Sequence, residues 1–321
     1  MKLSTKEGRI LACVEMDAHK SIKEIQKQTG YREHTIRYVL NQLEQNDIIR
    51  ILPFIDAYPL GYQDYAVYFS LASENKSMKE QLVKRLTESP QVSWLGELGG
   101  DYQYGMAVYV KNASELLIFL NQLSAEFGNI FFEKSITVRV LFYQFQRKYF
   151  LPEQLSSIEA GFFGSTKKMV SIDDTDHQIL SGLANHSYSS LRDLSRQINI
   201  PISTLTKHIQ KLEQENIITA FTYSVDTTKI NMQMFELLVY AKGMNQQLQQ
   251  DLFAFAKQHR NIVHFLQCIG EWDFEMGVEV ERAEDIVAIT QELYQQFGER
   301  ILTIKTLPLF RYIKLSYYPF Q

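Results

Sequence analysis

The sequence contains little cysteine and no long apolar run. Its two cysteines, Cys13 and Cys268, lie far apart in the 321 residues and form no CxxC pair, which favours buried thiols in a reducing compartment. No apolar run approaches the roughly 18 residues that a membrane-spanning helix requires. The first residues (MKLSTKE) lack the apolar core of a signal peptide. We therefore expect a cytoplasmic protein with no membrane partner.

Sequence signatures of catalysis are also missing. There is no glycine loop of the Walker or dinucleotide-binding type and no GxSxG motif, and the seven histidines show no metal-ligand spacing. We expect no catalytic residue, no cofactor and no metal. The net charge of −4 argues against wholesale coating of nucleic acid. A local basic face remains compatible with phosphate contact, because that contact depends on where the charges lie.

A repeat runs through the whole chain, and it is the strongest signal in the sequence. Glu44 recurs as Glu213 after 169 residues, and Gly100 recurs as Gly270 after 170 residues. The period is too long for a solenoid of small repeats. It predicts two copies of a two-domain unit, joined by a segment whose serine, glycine and lysine content is typical of a linker.

The first part of each copy has the pattern of three short helices. Ser21 and Glu24 form a capping box that satisfies backbone donors at a helix start, and the second copy repeats it with a shorter acid. The third helix, within 34–48 and again within 203–217, carries an apolar stripe at helical spacing. A tight turn before this helix makes the pattern that of a helix-turn-helix. The β-hairpins of a wing are predicted at 48–55 and 217–225.

The second part of each copy alternates strands and helices in the order βαββαβ, with a glycine turn before the third strand. This order predicts a ferredoxin-like domain, whose open sheet face needs a cover that the sheet of the other copy can supply. The predicted fold class is α+β, with two copies of a winged helix-turn-helix domain followed by a βαββαβ ferredoxin-like domain. The predicted boundaries are 1–58 (first winged helix-turn-helix), 59–152 (first ferredoxin-like domain), 153–169 (linker), 170–227 (second winged helix-turn-helix) and 228–321 (second ferredoxin-like domain).

Several short segments of this architecture match a known family. They are the helix ends Leu43-Glu44 and Leu212-Glu213, the exits Ile48-Ile49 and Ile217-Ile218, and the strand–glycine–strand segments 92–110 and 262–280. On these features the chain resembles, twice over, the Lrp/AsnC family of leucine-responsive and asparagine-responsive regulators. The resemblance implies a DNA-binding transcriptional regulator whose sensor domains pair sheet to sheet, here as a pseudo-dimer inside one chain. Assembly into homo-oligomers of pseudo-dimers is compatible with it.

The resemblance also implies a small-molecule effector, usually an amino acid, near the glycine turn. The family's turn is similar to Gly-x-aromatic-Asp-aromatic, which the second copy keeps from Gly270 to Phe274, whereas the first copy has Gln103 at the acidic position. Backbone N–H groups of such a turn can hold a carboxylate, and the acid can hold an ammonium. The alternative is a strand-connecting turn without a ligand. The expected effector-binding residues are Gly100, Asp101, Gly270, Trp272 and Asp273.

The polar faces of the two third helices are the expected contacts with double-stranded DNA. Arginine can read guanine, threonine and tyrosine can bond to base or phosphate, and residues at the helix start suit phosphates. The alternative is a helix-turn-helix that serves only as a scaffold or protein-docking surface. The predicted DNA-binding residues are Arg32, His34, Thr35, Arg37, Tyr38, Ser203, Thr204, Thr206, Lys207 and Gln210.

One class of enzyme shares this architecture and offers a rival interpretation. Siroheme decarboxylases look like Lrp/AsnC proteins, are sometimes fused in tandem, and use histidine and arginine on the strand before the glycine turn. His264 lies on that strand in the second copy, but Trp94 takes its place in the first, and no arginine occupies 92–98 or 262–268. The sequence therefore favours the regulator.

Overall fold

The computed structural model describes the stretches 2–72, 75–128, 130–151, 161–164, 168–185, 190–243 and 245–320. Most of the predicted linker at 153–169 lies outside them. Within it, Gly161–Gly164 forms a short strand that pairs with Leu141–Gln144, so this part of the segment is not a free connection. In the described stretches no helix is long and apolar enough to cross a membrane.

The same order of helices and strands occurs on both sides of that short strand. The first half contains α1 (Thr5–Val14), α2 (Ile22–Thr29), α3 (Glu33–Gln45), β1 (Ile49–Ile55), β2 (Gln63–Leu71), α4 (Lys76–Thr87), β3 (Val92–Leu98), β4 (Tyr104–Val110), α5 (Ala113–Phe127) and β5 (Phe131–Gln144). After β6 (Gly161–Gly164), the second half contains α6 (Asp174–Asn185), α7 (Leu191–Gln197), α8 (Ile202–Gln214), β7 (Ile218–Val225), β8 (Gln233–Ala241), α9 (Gln246–Gln258), β9 (Ile262–Gly270), β10 (Phe274–Val280), α10 (Asp285–Phe297) and β11 (Ile301–Leu315).

The helix-turn-helix units form as their local sequence dictates. The Ser21 hydroxyl accepts a hydrogen bond from the backbone N–H of Glu24, and the Glu24 carboxylate accepts one from the backbone N–H of Ser21, so the predicted capping box is confirmed. Gly30 ends α2 with a left-handed φ of 75°. Asn199 adopts the same region at 55° after α7, because asparagine tolerates this conformation better than most side chains.

The wing differs from the prediction. No hairpin forms at 48–55 or 217–225; each segment is one strand, and β1 and β7 pair antiparallel with each other, with Ile49 opposite Val225. Neither segment contains the Asn-Gly or Gly-rich pair that a tight hairpin turn requires. Each strand therefore satisfies its backbone groups on the equivalent strand of the other half, which joins the two helix-turn-helix units.

The two ferredoxin-like sheets merge into one closed barrel. Within each half the strands take the order β5-β2-β4-β3 or β11-β8-β10-β9. The edges then join across the halves, since β3 pairs with β11 and β5 pairs with β9. Each sheet was expected to cover the open face of the other. The two sheets do so by pairing along their edges, which closes the eight strands into a ring.

The barrel has an apolar exterior layer and a mixed interior. Helices α4 and α5 pack outside the first half and α9 and α10 outside the second, each pair over its own apolar cluster. The interior holds aromatic side chains, including Tyr68, Trp94 and Trp272. The β1–β7 sheet lies next to this interior, because Phe54 packs against Phe142 and Tyr317 with ring centroids 5.8 and 4.5 Å apart.

Candidate functional sites

Helix α3 presents a polar face away from its core. Ile36, Val39 and Leu43 are buried, because they repeat at helical spacing and pack against α1 and α2. Four of the five predicted contacts at this helix are exposed and Thr35 is half-buried. The ring of Tyr38 on this face is 66% exposed. The exposed residues are Arg32, His34, Arg37 and Tyr38.

The charge on this face is partly neutralised within the helix. Arg37 donates to the Glu33 carboxylate at 2.7 Å, one turn earlier. Both side chains are exposed, so the pair contributes little to stability and can exchange for a phosphate. Arg32 occupies the N-cap position without a side-chain cap bond.

Helix α8 repeats the arrangement. Leu205, Ile209 and Leu212 are buried, and Thr204 is half-buried. The hydroxyl of Thr206 donates to the carbonyl of Ile202 at 2.8 Å, one turn back in the helix. The exposed predicted contacts are Ser203, Thr206, Lys207 and Gln210.

A buried carboxylate fastens α8 to α6. Asp176 is inaccessible to solvent and contacts His208 Nδ1 at 2.7 Å and Lys211 Nζ at 2.5 Å. Asp173 lies close enough to join Asp176 and His208 as a possible oxygen and nitrogen ligand set, but the ammonium of Lys211 already takes the place of a cation at Asp176. The sequence did not predict this group of side chains, because the contact of one acid with two bases on another helix depends on how α6 and α8 pack.

The two glycine turns are built alike, although their acidic position differs. Asp273 accepts a hydrogen bond from the backbone N–H of Ala241 at 2.7 Å. Gln103 accepts the equivalent bond from Leu71 at 3.1 Å, 170 residues earlier. An amide oxygen and a carboxylate oxygen both serve as the acceptor, so the departure at Gln103 preserves the structure of the turn.

The other predicted effector residues are distributed around these turns. Gly100 is exposed with φ of 86°, and Gly270 is exposed with φ of 146°. The exposed Asp101 forms an ion pair with the half-buried Lys305 at 3.1 Å. Trp272 is buried in the barrel, where its Nε1 donates to Glu275 at 2.9 Å. The two turns therefore offer backbone groups at the surface, while Trp272 faces the interior.

The barrel interior carries a set of buried charges that sequence reasoning missed. Arg139 on β5 donates to both oxygens of Glu275 on β10, the shortest contact being 2.6 Å. Burial opposes ionisation of Glu275, but the charge and hydrogen bonds of Arg139 outweigh it and lower the pKa of the carboxyl. Asp64 on β2 lies 3.9 Å from the same guanidinium. The triad spans both halves of the chain.

A second charged group lies at the end of the barrel near α1. Arg147 donates two hydrogen bonds to Glu279, each 2.8 Å long, and a third to Glu15 at 2.5 Å. Burial raises the pKa of Glu15 more than the neighbouring Arg147 lowers it. This group ties the first helix-turn-helix unit to the second ferredoxin-like sheet.

Equivalent positions of the two halves have diverged inside the barrel. The Trp94 ring packs on Gly105, where an added Cβ would lie 2.7 Å from the ring. The residue 170 positions after Gly105 is Glu275, and the residue after Trp94 by the same offset is His264. The His264 ring lies directly against Gly277, where an added Cβ would overlap the ring. One half of the interior is thus filled by an aromatic group and the other by polar groups.

A cavity of about 100 Å³ remains beside these polar groups. Aromatic rings, two guanidinium groups and four carboxylates line it. His264 Nε2 lies 3.1 Å from the Glu236 carboxylate, and both residues are buried. The lining also includes residues of β1, β7 and the end of α1. The cavity therefore lies beneath the two-stranded β1–β7 sheet, which we call the shared wing. Its carboxylates are Glu15, Asp64, Glu236 and Glu279.

Comparison with known proteins agrees with the helix-turn-helix. Residues 172–219 match a family model described as winged helix-turn-helix DNA-binding. HTH-type transcriptional regulator FL11 of Pyrococcus horikoshii is 27% identical over 120 residues, which cover 37% of this chain and 78% of that protein. An uncharacterized HTH-type transcriptional regulator of the same organism is 28% identical over 131 residues, covering 40% of this chain and 82% of its own length.

The fold of nearly the whole chain has a solved counterpart. The crystal structure of the siroheme decarboxylase NirDL is similar with a TM-score of 0.60 at 12% identity, and the match covers 97% of this chain and 92% of that one. At this identity the likeness concerns the fold alone. This chain is therefore an α+β protein with ferredoxin-type domains and a segment, 172–219, that matches the winged helix-turn-helix DNA-binding model.

Proposed function

We propose that the chain is a DNA-binding transcriptional regulator in which one intramolecular pseudo-dimer presents two helix-turn-helix units. The observation that carries the proposal is the pairing of β1 with β7. Helices α3 and α8 each lead directly into one of these strands, so their exposed polar faces are held on a common support. The curated relatives named as HTH-type transcriptional regulators support the same function.

The predicted DNA contacts divide into two roles. Arg37, Tyr38 and Lys207 lie on exposed helix faces and can reach base edges or phosphates in the major groove. Arg32 and Ser203 lie at the first turns of α3 and α8, where backbone N–H groups favour a phosphate. Because the linkage fixes both units in one molecule, binding to two half-sites gains effective concentration without dimerisation.

The proposal is tested by fluorescence anisotropy with duplex DNA from the region upstream of the protein's own gene. Arg37→Ala and Lys207→Ala should each weaken binding and each lower the salt slope by about 1. Lys84→Ala, which removes an exposed lysine from α4 on the outside of the barrel, should leave the affinity unchanged. Binding that is absent, or that ignores salt and both variants, would refute the regulator.

We also propose the surface of the glycine turns as the amino-acid site. Gly100 and Gly270 expose backbone at these turns, and Asp101 and Asp273 supply acids nearby. The Asp273 carboxylate already accepts from Ala241, so a ligand ammonium must share it. Thermal-shift screening of amino acids, with Asp273→Ala beside wild type, tests the site; an equal shift in both proteins would remove Asp273 from it.

The fold likeness to a siroheme decarboxylase gives an enzyme as the second candidate. The interior argues against it on size and charge. The cavity of about 100 Å³ is small for a tetrapyrrole, and its four carboxylates would repel a ligand rich in carboxylates. We therefore expect no change in the absorbance spectrum of siroheme on titration with the protein.

A further inference from the structure

We propose that the cavity beneath the shared wing binds a small organic cation of the guanidinium or primary ammonium type. The cavity lies between β2, β5 and β8 and is lined from both halves of the chain. Two features of its charge and the aromatic rings in its wall point to this class of ligand. None of the three depends on the DNA-binding proposal.

The first feature is a buried carboxylate oxygen that finds no hydrogen-bond partner in the part of the chain that the structure describes. Asp64 lines the cavity and is 4% exposed. Its Oδ2 lies 3.9 Å from Arg139, but its Oδ1 has no hydrogen-bond partner among the described residues. An ionised oxygen in such a place is costly unless a donor or a cation reaches it.

The second feature is that the resident cations are already engaged. Arg139 directs its short contacts to Glu275, and Arg147 divides its donors between Glu279 and Glu15. The guanidinium nearest to Asp64 is therefore 3.9 Å away, and among the described residues Glu236 forms no ion pair with a guanidinium. For Glu236 the neighbouring base is His264 at 3.1 Å. A bound cation would offset the negative charge of the Asp64 and Glu236 carboxylates.

The third feature is the aromatic wall. Trp94, Phe142 and Tyr109 line the same cavity, and Arg139 already stacks over Trp94 at 5.3 Å from the ring centre. Carboxylates combined with aromatic faces bind weakly hydrated organic cations well. The volume of about 100 Å³ limits the ligand to a few non-hydrogen atoms.

The proposal is tested by titrating the full chain, without DNA, with guanidinium chloride and with urea at low-millimolar concentration. These probes have the same shape and differ in charge. Calorimetry and tryptophan fluorescence report binding, and Trp94 lies in the cavity wall. We expect one saturable site for guanidinium, with a dissociation constant of roughly tens of micromolar or weaker for so small a ligand, and no response to urea.

Variants locate the site. Asp64→Asn and Glu236→Gln should each weaken guanidinium binding at least tenfold. Glu133→Gln, the same change at an exposed position of β5, should leave it unchanged. Equal binding of urea, unchanged binding in Asp64→Asn, or no saturation at all would overturn the proposal. Potassium chloride that binds as well as guanidinium would also overturn it, since the site would then select an inorganic ion.

Discussion

Asp64 provides a test of the buried charges that does not require a ligand. Its carboxyl is fully enclosed, and burial raises its pKa from 3.8 to about 6, with Glu275 acting in the same direction and Arg139 against it. The folded protein therefore binds more protons than the unfolded chain between these two values. The contribution of Asp64 to the free energy of unfolding is consequently lost as the pH rises from about 4 to about 6. The whole of that contribution is about 3 kcal/mol.

Asp64→Asn removes this dependence, because an amide stays neutral at every pH. For the two pKa values above, about 2 kcal/mol of the loss falls between pH 4.5 and pH 8. The free energy of unfolding of wild type minus that of the variant should fall by this amount between the two conditions. Urea unfolding followed by tryptophan fluorescence measures it, since Trp94 and Trp272 are both buried in the barrel.

The result depends on the groups that face Asp64 from the surrounding elements. Glu133→Gln serves as the control for the loss of one carboxylate, because this side chain lies at an exposed position of the same barrel. A difference for Asp64→Asn that is equal at both pH values would refute the reasoning from burial. The titratable groups facing Asp64 are Arg139, Glu275, Tyr58, Tyr109, Tyr317 and Cys268.

Substitutions at three further positions probe the structural roles of the polar groups. Arg139→Ala leaves Glu275 as a buried charge without its partner and should destabilise the barrel by about 3–5 kcal/mol in urea unfolding. Asp273→Ala removes the acceptor of the Ala241 N–H and should cost about 1–3 kcal/mol, whereas Asp273→Asn keeps an acceptor and should cost less; equal losses would contradict the role of the turn. Asp176→Ala should speed amide hydrogen exchange in α6 and α8 while α3 is unaffected, and uniform exchange would argue against a local fastening.

The local elements were predictable because short-range patterns dictate them. The capping box at Ser21 and Glu24 and the left-handed residues Gly30 and Asn199 depend on neighbours within a few positions. The βαββαβ order followed from the alternation of patterns along each copy. In both cases the residue type and its immediate spacing carry the physical cause, so no long-range knowledge was needed.

The joining of the halves was not predictable from the same patterns. The β1–β7 pair and the β3–β11 and β5–β9 seams connect residues far apart in sequence, and strand register across such distances is not encoded locally. The buried acids were missed for the same reason. Asp64 and Glu275 stand in strands where an acid normally faces solvent, and only the register of β2 and β5 places Arg139 beside Asp64.

The divergence of the two halves bears on how a ligand in the cavity could act on DNA binding. Trp94 fills the position that His264 holds in the other half, so the interior has one polar site where an exact repeat would have two. That site draws Asp64 from the first half and Glu236 from the second, and it lies beneath the strands β1 and β7. A ligand that bridges these two acids would therefore act on the one sheet that holds α3 and α8 together. If it favours one arrangement of that sheet over another, its differential affinity sets the largest change it can cause in DNA affinity. For a cation of four non-hydrogen atoms that change is a modest one, so an effect of guanidinium on DNA binding larger than its own binding free energy could not arise from this cavity.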